Sequence, residues 1–169
     1  MSDFAQAFES MILNEGGYVL HNVAGDRGGM TYAGIARNMN PQWPGWRVID
    51  QGGTPPADMV REFYRQTFWA ALKLDEVTDQ AVARNIFDFA VNAGVKTSAK
   101  LAQVTVGATP DGAIGQRSLD AINATAPEVF VLRFALAKVA RYRDIVQRDR
   151  TQQKFLLGWV NRTLKEAAV

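Results

Sequence analysis

The sequence contains no cysteine and only one histidine, and each shortage removes a class of chemistry. Without cysteine there are no disulfides, no thiolate metal sites and no thiol nucleophile. The single histidine, His21, excludes a multi-histidine metal site, and we assign it no catalytic role. Asp75, Asp79 and Asp111 lack the regular spacing of oxygen ligands in a calcium-binding loop. We therefore predict no metal and no other cofactor.

Long apolar runs are also missing. No stretch approaches the ~18 consecutive apolar residues that a membrane-spanning helix needs. The first residues, Met1-Ser2-Asp3-Phe4, do not form the basic and then apolar pattern of a secretory leader. We therefore expect the protein to be made in the cytoplasm without a signal peptide.

Positive charge is scarce over most of the chain and concentrated near its end. Residues 1–132 hold 10 Lys/Arg and 14 Asp/Glu, whereas residues 133–165 hold 9 and 2. Such a basic segment fits nucleic acid, anionic lipid, an anionic cell-wall polymer or simply a solvated helix face. Nucleic acid is the weakest of these, because no helix-turn-helix, RNA-binding aromatic pair or zinc pattern accompanies the charges.

Apolar residues at helical spacing predict a helix over residues 3–15 that ends at the glycine pair Gly16-Gly17. Glu15 thus falls at the carboxyl end of the helix. A carboxylate is disfavoured there, because the helix dipole already carries partial negative charge at that end. This placement makes Glu15 a candidate functional residue.

Residues 16–56 are rich in glycine and proline and contain three short β-prone pieces, Tyr18-Val19-Leu20, Met30-Thr31-Tyr32 and Trp46-Arg47-Val48-Ile49. Helical patterns follow, first up to Trp69 and then from about Gln80 to the end. A long helix opening near Pro127 should carry Leu132, Leu136 and Val139. The pattern predicts a mainly α protein with one small β-element near the N-terminus, in two lobes, residues 1–94 and 95–169, packed together.

Two carboxylates flank the glycine-rich segment, Glu15 at the helix end and Asp26 in the following loop. Glycoside hydrolysis uses such a pair, one acid to protonate the leaving oxygen and one group to hold a water or attack the sugar. The pairing is weak evidence by itself, because 17 acidic residues offer many pairs.

The residues around this pair resemble the signature of glycoside hydrolase family 108. The resemblance rests on Glu15-Gly16-Gly17-Tyr18, Asp26-Arg27-Gly28-Gly29-Met30-Thr31-Tyr32-Ala33-Gly34-Ile35, Phe63-Tyr64, Phe68-Trp69 and Phe87-Asp88-Phe89-Ala90-Val91-Asn92-Ala93-Gly94. It implies a lysozyme-like α+β fold and a catalytic acid at Glu15. The order Glu15, Asp26, Thr31 is also similar to the catalytic trio of phage-type lysozymes, in which Asp holds or activates a water and Thr orients it. The same resemblance places substrate-binding residues at Tyr18, Tyr32, Asp88 and Asn92.

A second resemblance lies in the C-terminal half. Leu101-Ala102-Gln103, Asp111-Gly112-Ala113-Ile114-Gly115 and Ser118-Leu119-Asp120-Ala121-Ile122 are similar to the pattern of small helical peptidoglycan-binding modules. The Asp-Gly turn would pack two helices at a fixed angle. It serves either that structural purpose or direct contact with the cell wall.

Together the resemblances imply a muramidase of the phage-endolysin or secretion-activator type. It would cut the β-1,4 bond between N-acetylmuramic acid and N-acetylglucosamine, with bacteriolytic and antimicrobial consequences. The alternatives are a lytic transglycosylase and a non-catalytic wall- or membrane-binding antibacterial protein. We expect a monomer that binds peptidoglycan and no nucleic acid, that contacts anionic outer-membrane lipid through its basic C-terminal helices, and that acts in the periplasm after holin-type or other release.

Overall fold

The computed structural model describes residues 1–14, 16–22 and 29–167. Glu15 and Asp26, the two predicted catalytic carboxylates, lie outside the described residues. The chain divides into two compact units, an N-terminal unit (Asp3–Ala71) and a C-terminal unit (Met1–Ser2 with Leu72–Val169). The fold is mainly helical with one small sheet near the N-terminus, which confirms the predicted fold class.

The N-terminal unit begins with α1 (Phe4–Asn14), whose apolar side packs on aromatic rings of the same unit. The ring of Phe4 lies 5.6 Å from that of Phe8 and 5.5 Å from that of Trp69. Trp69 is fully buried in the core of this unit. The helix ends just before the glycine pair, as predicted.

Three short strands form an antiparallel sheet in the order β1 (Leu20–Asn22), β2 (Met30–Tyr32) and β3 (Ile35–Ala36). Strand β2 coincides with the predicted piece Met30-Thr31-Tyr32, whereas β1 overlaps the predicted piece Tyr18-Val19-Leu20 only at Leu20. The third predicted piece is wrong, because Trp46–Ile49 falls in a short helix, α2 (Gly45–Asp50). Trp46 is buried edge-on against Trp43, and its indole N–H donates to the carbonyl oxygen of Asn40 at 2.8 Å. These tertiary contacts override the local β preference.

The unit closes with α3 (Ala57–Tyr64), which continues into a wider helical turn at Arg65–Trp69. Val60 and Tyr64 are buried. The Tyr64 hydroxyl donates to the carbonyl oxygen of Ala33 at 2.9 Å and so ties this helix to the loop between β2 and β3.

The described residues of the C-terminal unit form helices joined by turns, with no β-strand. Its helices are α4 (Gln80–Ala93), α5 (Val95–Thr105), α6 (Gln116–Ala124), α7 (Pro127–Arg148) and α8 (Gln153–Glu166). Asp79 caps α4 by accepting the N–H of Val82 at 3.0 Å. Gly94, with φ of 89°, lets the chain turn directly from α4 into α5.

The long helix α7 begins at Pro127 and carries Leu132, Leu136 and Val139, as predicted. Leu132, Leu136 and Val139 are exposed. The buried side instead carries a four-residue repeat, Phe130, Phe134, Lys138, Tyr142 and Val146. This aromatic side prevails because the Phe134 ring packs edge-on against Phe89 of α4 at 5.6 Å.

No helix in the described part of the chain combines the length and apolar character that a bilayer-spanning segment requires.

Candidate functional site

The residues on both sides of position 15 have a defined backbone conformation, a helix end before it and a glycine pair after it. Helix α1 ends at Asn14. Gly16 and Gly17 then have φ of 88° and 78°, in the left-handed region that favours glycine. The N–H of Gly17 donates to the carbonyl oxygen of Ile12 at 2.8 Å, which closes the helix end. The Glu-Gly-Gly motif therefore has a physical reason, because both positions after the glutamate need a left-handed backbone.

Thr31, predicted to orient a water, lies in the middle strand of the sheet. It pairs with His21 of β1 on one side and with Ala36 of β3 on the other. Directly paired residues of antiparallel strands project from the same face of a sheet. The exposed His21 is thus brought next to Thr31, a neighbour that the sequence analysis missed.

Tyr18, predicted to bind substrate, is 40% exposed. Burial, and after it the negative charge of Glu9, raise the pKa of its phenol, whereas Arg61 opposes the shift. Arg61 itself forms an ion pair with Glu9 at 2.8 Å. Tyr18 therefore stands at the surface of the N-terminal unit beside charged groups, where its ring is open to a ligand.

Tyr32, the second tyrosine predicted to bind substrate, is buried. Its hydroxyl donates to the carbonyl oxygen of Pro55 at 3.4 Å, and its ring stacks on that of Trp43 with centroids 6.0 Å apart. Burial, and then the nearby Tyr18 phenol, raise the pKa of Tyr32. Tyr32 thus packs against the ring of Trp43. Its direct contact with substrate stays a prediction.

Trp43 forms part of the wall of a pocket of about 770 Å³ in the N-terminal unit, which we call the N-terminal pocket. Its apolar side includes the ring of Phe63, edge-on to Trp43 at 6.3 Å. Its polar side includes Asp58, Glu62 and Gln66. The buried indole N–H of Trp43 has no hydrogen-bond partner among the described residues. Aromatic surface next to carboxylates and amides is the combination that suits a sugar, which presents C–H faces and hydroxyl edges.

Asp88 and Asn92, the remaining predicted substrate-binding residues, lie one turn apart on α4 in the C-terminal unit. Asp88 is buried, and its Oδ1 atom has no hydrogen-bond partner among the described residues. Burial, followed by repulsion from Glu166, raises the pKa of Asp88 to about 7, against the smaller effects of nearby cations. Asn92 is exposed, and its Oδ1 atom accepts a hydrogen bond from Arg162. The substrate-binding roles of both residues stay predictions.

The Asp-Gly turn of the second motif is held by one buried amide. Gln103 on α5 donates to Asp111 Oδ1 at 2.8 Å and to the carbonyl oxygen of Ala113 at 3.0 Å, and it accepts the N–H of Gly112 at 2.9 Å. A hydrogen bond from the Ala113 N–H, and next the one from Gln103, hold the pKa of Asp111 below its usual range. The Leu-Gln and Asp-Gly pieces of the motif are thus two halves of one hydrogen-bonded structure.

Among residues 1–14, 16–22 and 29–167, no three side chains of the types that bind metals come together.

A mainly helical chain with a three-stranded sheet directly after its first helix has the architecture of the lysozyme-like class. The family model "Glycosyl hydrolase 108" matches residues 8–94, and the chain belongs to this family. The model "Predicted Peptidoglycan domain" matches residues 97–164. The protein is therefore a glycoside hydrolase of the peptidoglycan-hydrolase type, as predicted from the motifs.

Solved structures agree with this fold. The chain is similar to Brucella abortus SagA, with a TM-score of 0.77 and 24% identity over 98% of this chain and 91% of the other. At this identity the likeness bears on the fold alone. The search of curated proteins found no match.

The family matches and the compact units divide the chain at different points. Helix α4 belongs to the first matched region, 8–94, but to the C-terminal unit, which starts at Leu72. The predicted division into lobes 1–94 and 95–169 stays a prediction.

Proposed function

We propose that the protein is a muramidase that hydrolyses the β-1,4 bond between N-acetylmuramic acid and N-acetylglucosamine, with Glu15 as general acid. The observation that carries the proposal is the end of α1 at Asn14, immediately before the Glu15-Gly16-Gly17 motif. A general acid must keep its proton until it meets the glycosidic oxygen. The carboxyl end of a helix disfavours the ionised form of a carboxylate placed there, which suits that task.

The N-terminal pocket supports a polysaccharide substrate. It lies in the same unit as α1 and the sheet, and a pocket of about 770 Å³ has room for a sugar unit of a longer strand. Tyr32, next to Thr31 in β2, stacks on the Trp43 wall of this pocket. Strand β2, which carries the predicted catalytic residue Thr31, therefore contacts the wall of the pocket through Tyr32.

In the proposed reaction Asp26 holds a water opposite Glu15 and Thr31 orients it. Such an arrangement inverts the anomeric centre and needs the two carboxyl groups roughly 6.5–9.5 Å apart. Replacing Asp26 with Asn should then lower turnover by about 10²-fold or more, because the water loses its base. Full activity of a well-folded Asp26→Asn protein would remove Asp26 from the mechanism and leave a site with one carboxylate.

Product analysis tests the bond and the chemistry together. Purified peptidoglycan is digested with the wild-type protein, and the fragments are identified by mass spectrometry. Hydrolysis leaves N-acetylmuramic acid at the reducing end. A 1,6-anhydro end would mean that the sugar's own 6-hydroxyl replaced water, as in a lytic transglycosylase, and N-acetylglucosamine at the reducing end would mean a different bond.

The biological setting is part of the proposal. We propose that the protein reaches the cell wall by holin-type or other release, as a phage endolysin does. We propose that it acts there as a monomer. Lysis of intact cells only when a membrane-permeabilising agent is present would support this route, and lysis by externally added protein alone would contradict it.

A further inference from the structure

Two adjoining pockets on the C-terminal unit involve none of the groups proposed for hydrolysis. The aromatic pocket, of about 530 Å³, lies between α7, α8 and the end of α4 and is lined among others by Tyr142, Phe155, Gly158 and Trp159. The basic pocket, of about 420 Å³, lies between α5 and α7. Arg141 and Ile145 line both, so these two side chains separate the pockets.

The aromatic pocket presents a stacked set of rings. The ring of Trp159 lies 5.2 Å from that of Tyr142 and 5.9 Å from that of Phe155, tilted by 32° and 30°. Trp159 is partly exposed and Phe155 is 46% exposed, although both are large aromatic residues. Gly158 adds free space, because a Cβ built on it would meet no atom within 4 Å. Exposed aromatic faces beside such space are suited to packing against a sugar ring.

Both pockets carry an excess of positive charge. The cations are Arg141, Lys154 and Arg162 in the aromatic pocket, and Lys96, Lys100, Arg148 and again Arg141 in the basic pocket. Each pocket contains one carboxylate, and both are already paired. Glu166 binds Lys138 at 2.5 Å, and Asp144 binds Arg143 at 2.7 Å. Among the described residues Arg141 forms no salt bridge. The side chain that lines both pockets therefore carries a positive charge with no carboxylate partner among these residues.

We propose that the two pockets together bind the carboxylate-bearing stem peptide of peptidoglycan, with the attached sugar packed on Trp159. The peptide carboxylates lie against Arg141 and the lysines of the basic pocket. The proposal rests on the proposed function only in taking peptidoglycan as the polymer. It assigns the recognition of peptide and of glycan to neighbouring pockets in the region matched by the peptidoglycan-domain model.

A lipid surface fits these observations less well. A helix lying on a membrane turns its apolar side chains towards the acyl layer. Here the ring of Trp159 contacts the rings of Tyr142 and Phe155, and the cations line concave pockets between neighbouring helices. Guanidinium and ammonium groups in a concave site match discrete carboxylates on a short chain.

The test measures binding of a purified disaccharide-tetrapeptide, which contains no bond that a muramidase cuts, to the full chain by isothermal titration calorimetry. Gly158→Trp fills the aromatic pocket, and Gly158→Ala is its control because the methyl group has open space. Arg141→Gln removes the shared cation. Its control is Arg133→Gln, which makes the same charge change at an exposed position of α7 outside both pockets.

We expect Gly158→Trp to weaken binding about tenfold because it fills the aromatic pocket. Arg141→Gln should weaken binding by the same factor, because a lost charge-assisted hydrogen bond costs that much. Both controls should stay within about twofold of wild type. A disaccharide of two N-acetylglucosamine units, which has no carboxylate, should bind more weakly and should not respond to Arg141→Gln. Equal dissociation constants for all four variants, each with unchanged circular dichroism, would overturn the proposal. Because this ligand is not cleaved, loss of the muramidase activity and loss of this binding are separate results.

Binding to vesicles of phosphatidylglycerol tests the alternative that the pockets bind a lipid surface. Vesicle binding that is unaffected by Gly158→Trp, together with weakened muropeptide binding, supports a peptide-stem site. Vesicle binding that falls with Gly158→Trp and Arg141→Gln while muropeptide binding stays constant would assign the pockets to lipid and contradict the proposal.

Discussion

Asp88→Asn should stabilise the protein at high pH far more than at low pH. Burial raises the pKa of Asp88 to about 7 in the folded chain, against about 3.9 in an unfolded chain. The folded state therefore holds the proton more tightly, and stability falls as pH rises between these two values. A shift of about three pKa units corresponds to about 4 kcal/mol once both states are ionised. At pH 5 only about 1.5 kcal/mol of this penalty is present, because the folded carboxyl is still protonated.

The variant carries no ionisable group at this position and escapes the penalty. The difference in free energy of unfolding between Asp88→Asn and wild type should thus grow by about 2.5 kcal/mol from pH 5 to pH 8. Urea denaturation at the two pH values measures it. Asp111→Asn is a control whose effect should be the same at pH 5 and pH 8, because the pKa of Asp111 is lowered and its stabilising effect is lost only at lower pH, as the pH falls through its folded value. A difference for Asp88→Asn that is the same at pH 5 and pH 8 would refute the burial argument.

Two further predictions concern the stability of the C-terminal unit. Gln103→Leu should cost about 2–3 kcal/mol in urea denaturation, because it leaves the Gly112 N–H and the turn carbonyl without their partner; a loss below 0.5 kcal/mol would mean that water replaces the amide. Lys138→Met should lower the free energy of unfolding by about 3–5 kcal/mol at neutral pH, because it leaves Glu166 unpaired. The double variant Lys138→Met/Glu166→Gln should be close to wild type. Equal losses in both would show that the ion pair is not the source of the effect.

The features predicted correctly from sequence are those with local signals. Helix α1 follows from the apolar spacing of its residues. Its end follows from the glycine pair Gly16-Gly17, whose left-handed backbone lies beyond the helix. Helix α4 follows from the helical pattern predicted from about Gln80, and it begins at that residue. The Gln103 and Asp111 motif was recognised as a pattern, and the structure adds the hydrogen bonds that require those two residue types.

The errors occur where tertiary contacts decide. The β-prone residues of α2 become helical because Trp46 packs on Trp43, a contact that local propensity does not contain. Helix α7 was predicted, but its apolar residues lie on two sides, and the partner ring of Phe89 determines which side is buried. The pairing of His21 with Thr31 depends on the register of two strands, which local propensity does not contain.

The central claim is that Glu15 supplies the proton that breaks the glycan strand, and a digest of purified peptidoglycan by wild type and Glu15→Gln tests it most directly. The release of reducing ends is followed over time, and Glu9→Gln serves as the control because Glu9 is a carboxylate of α1, the helix that precedes Glu15 in the sequence. We predict that Glu15→Gln lowers the rate by about 10²–10⁴-fold while melting temperature is unchanged, because only the proton donor is lost. A folded Glu15→Gln protein that digests peptidoglycan at the wild-type rate would contradict the account.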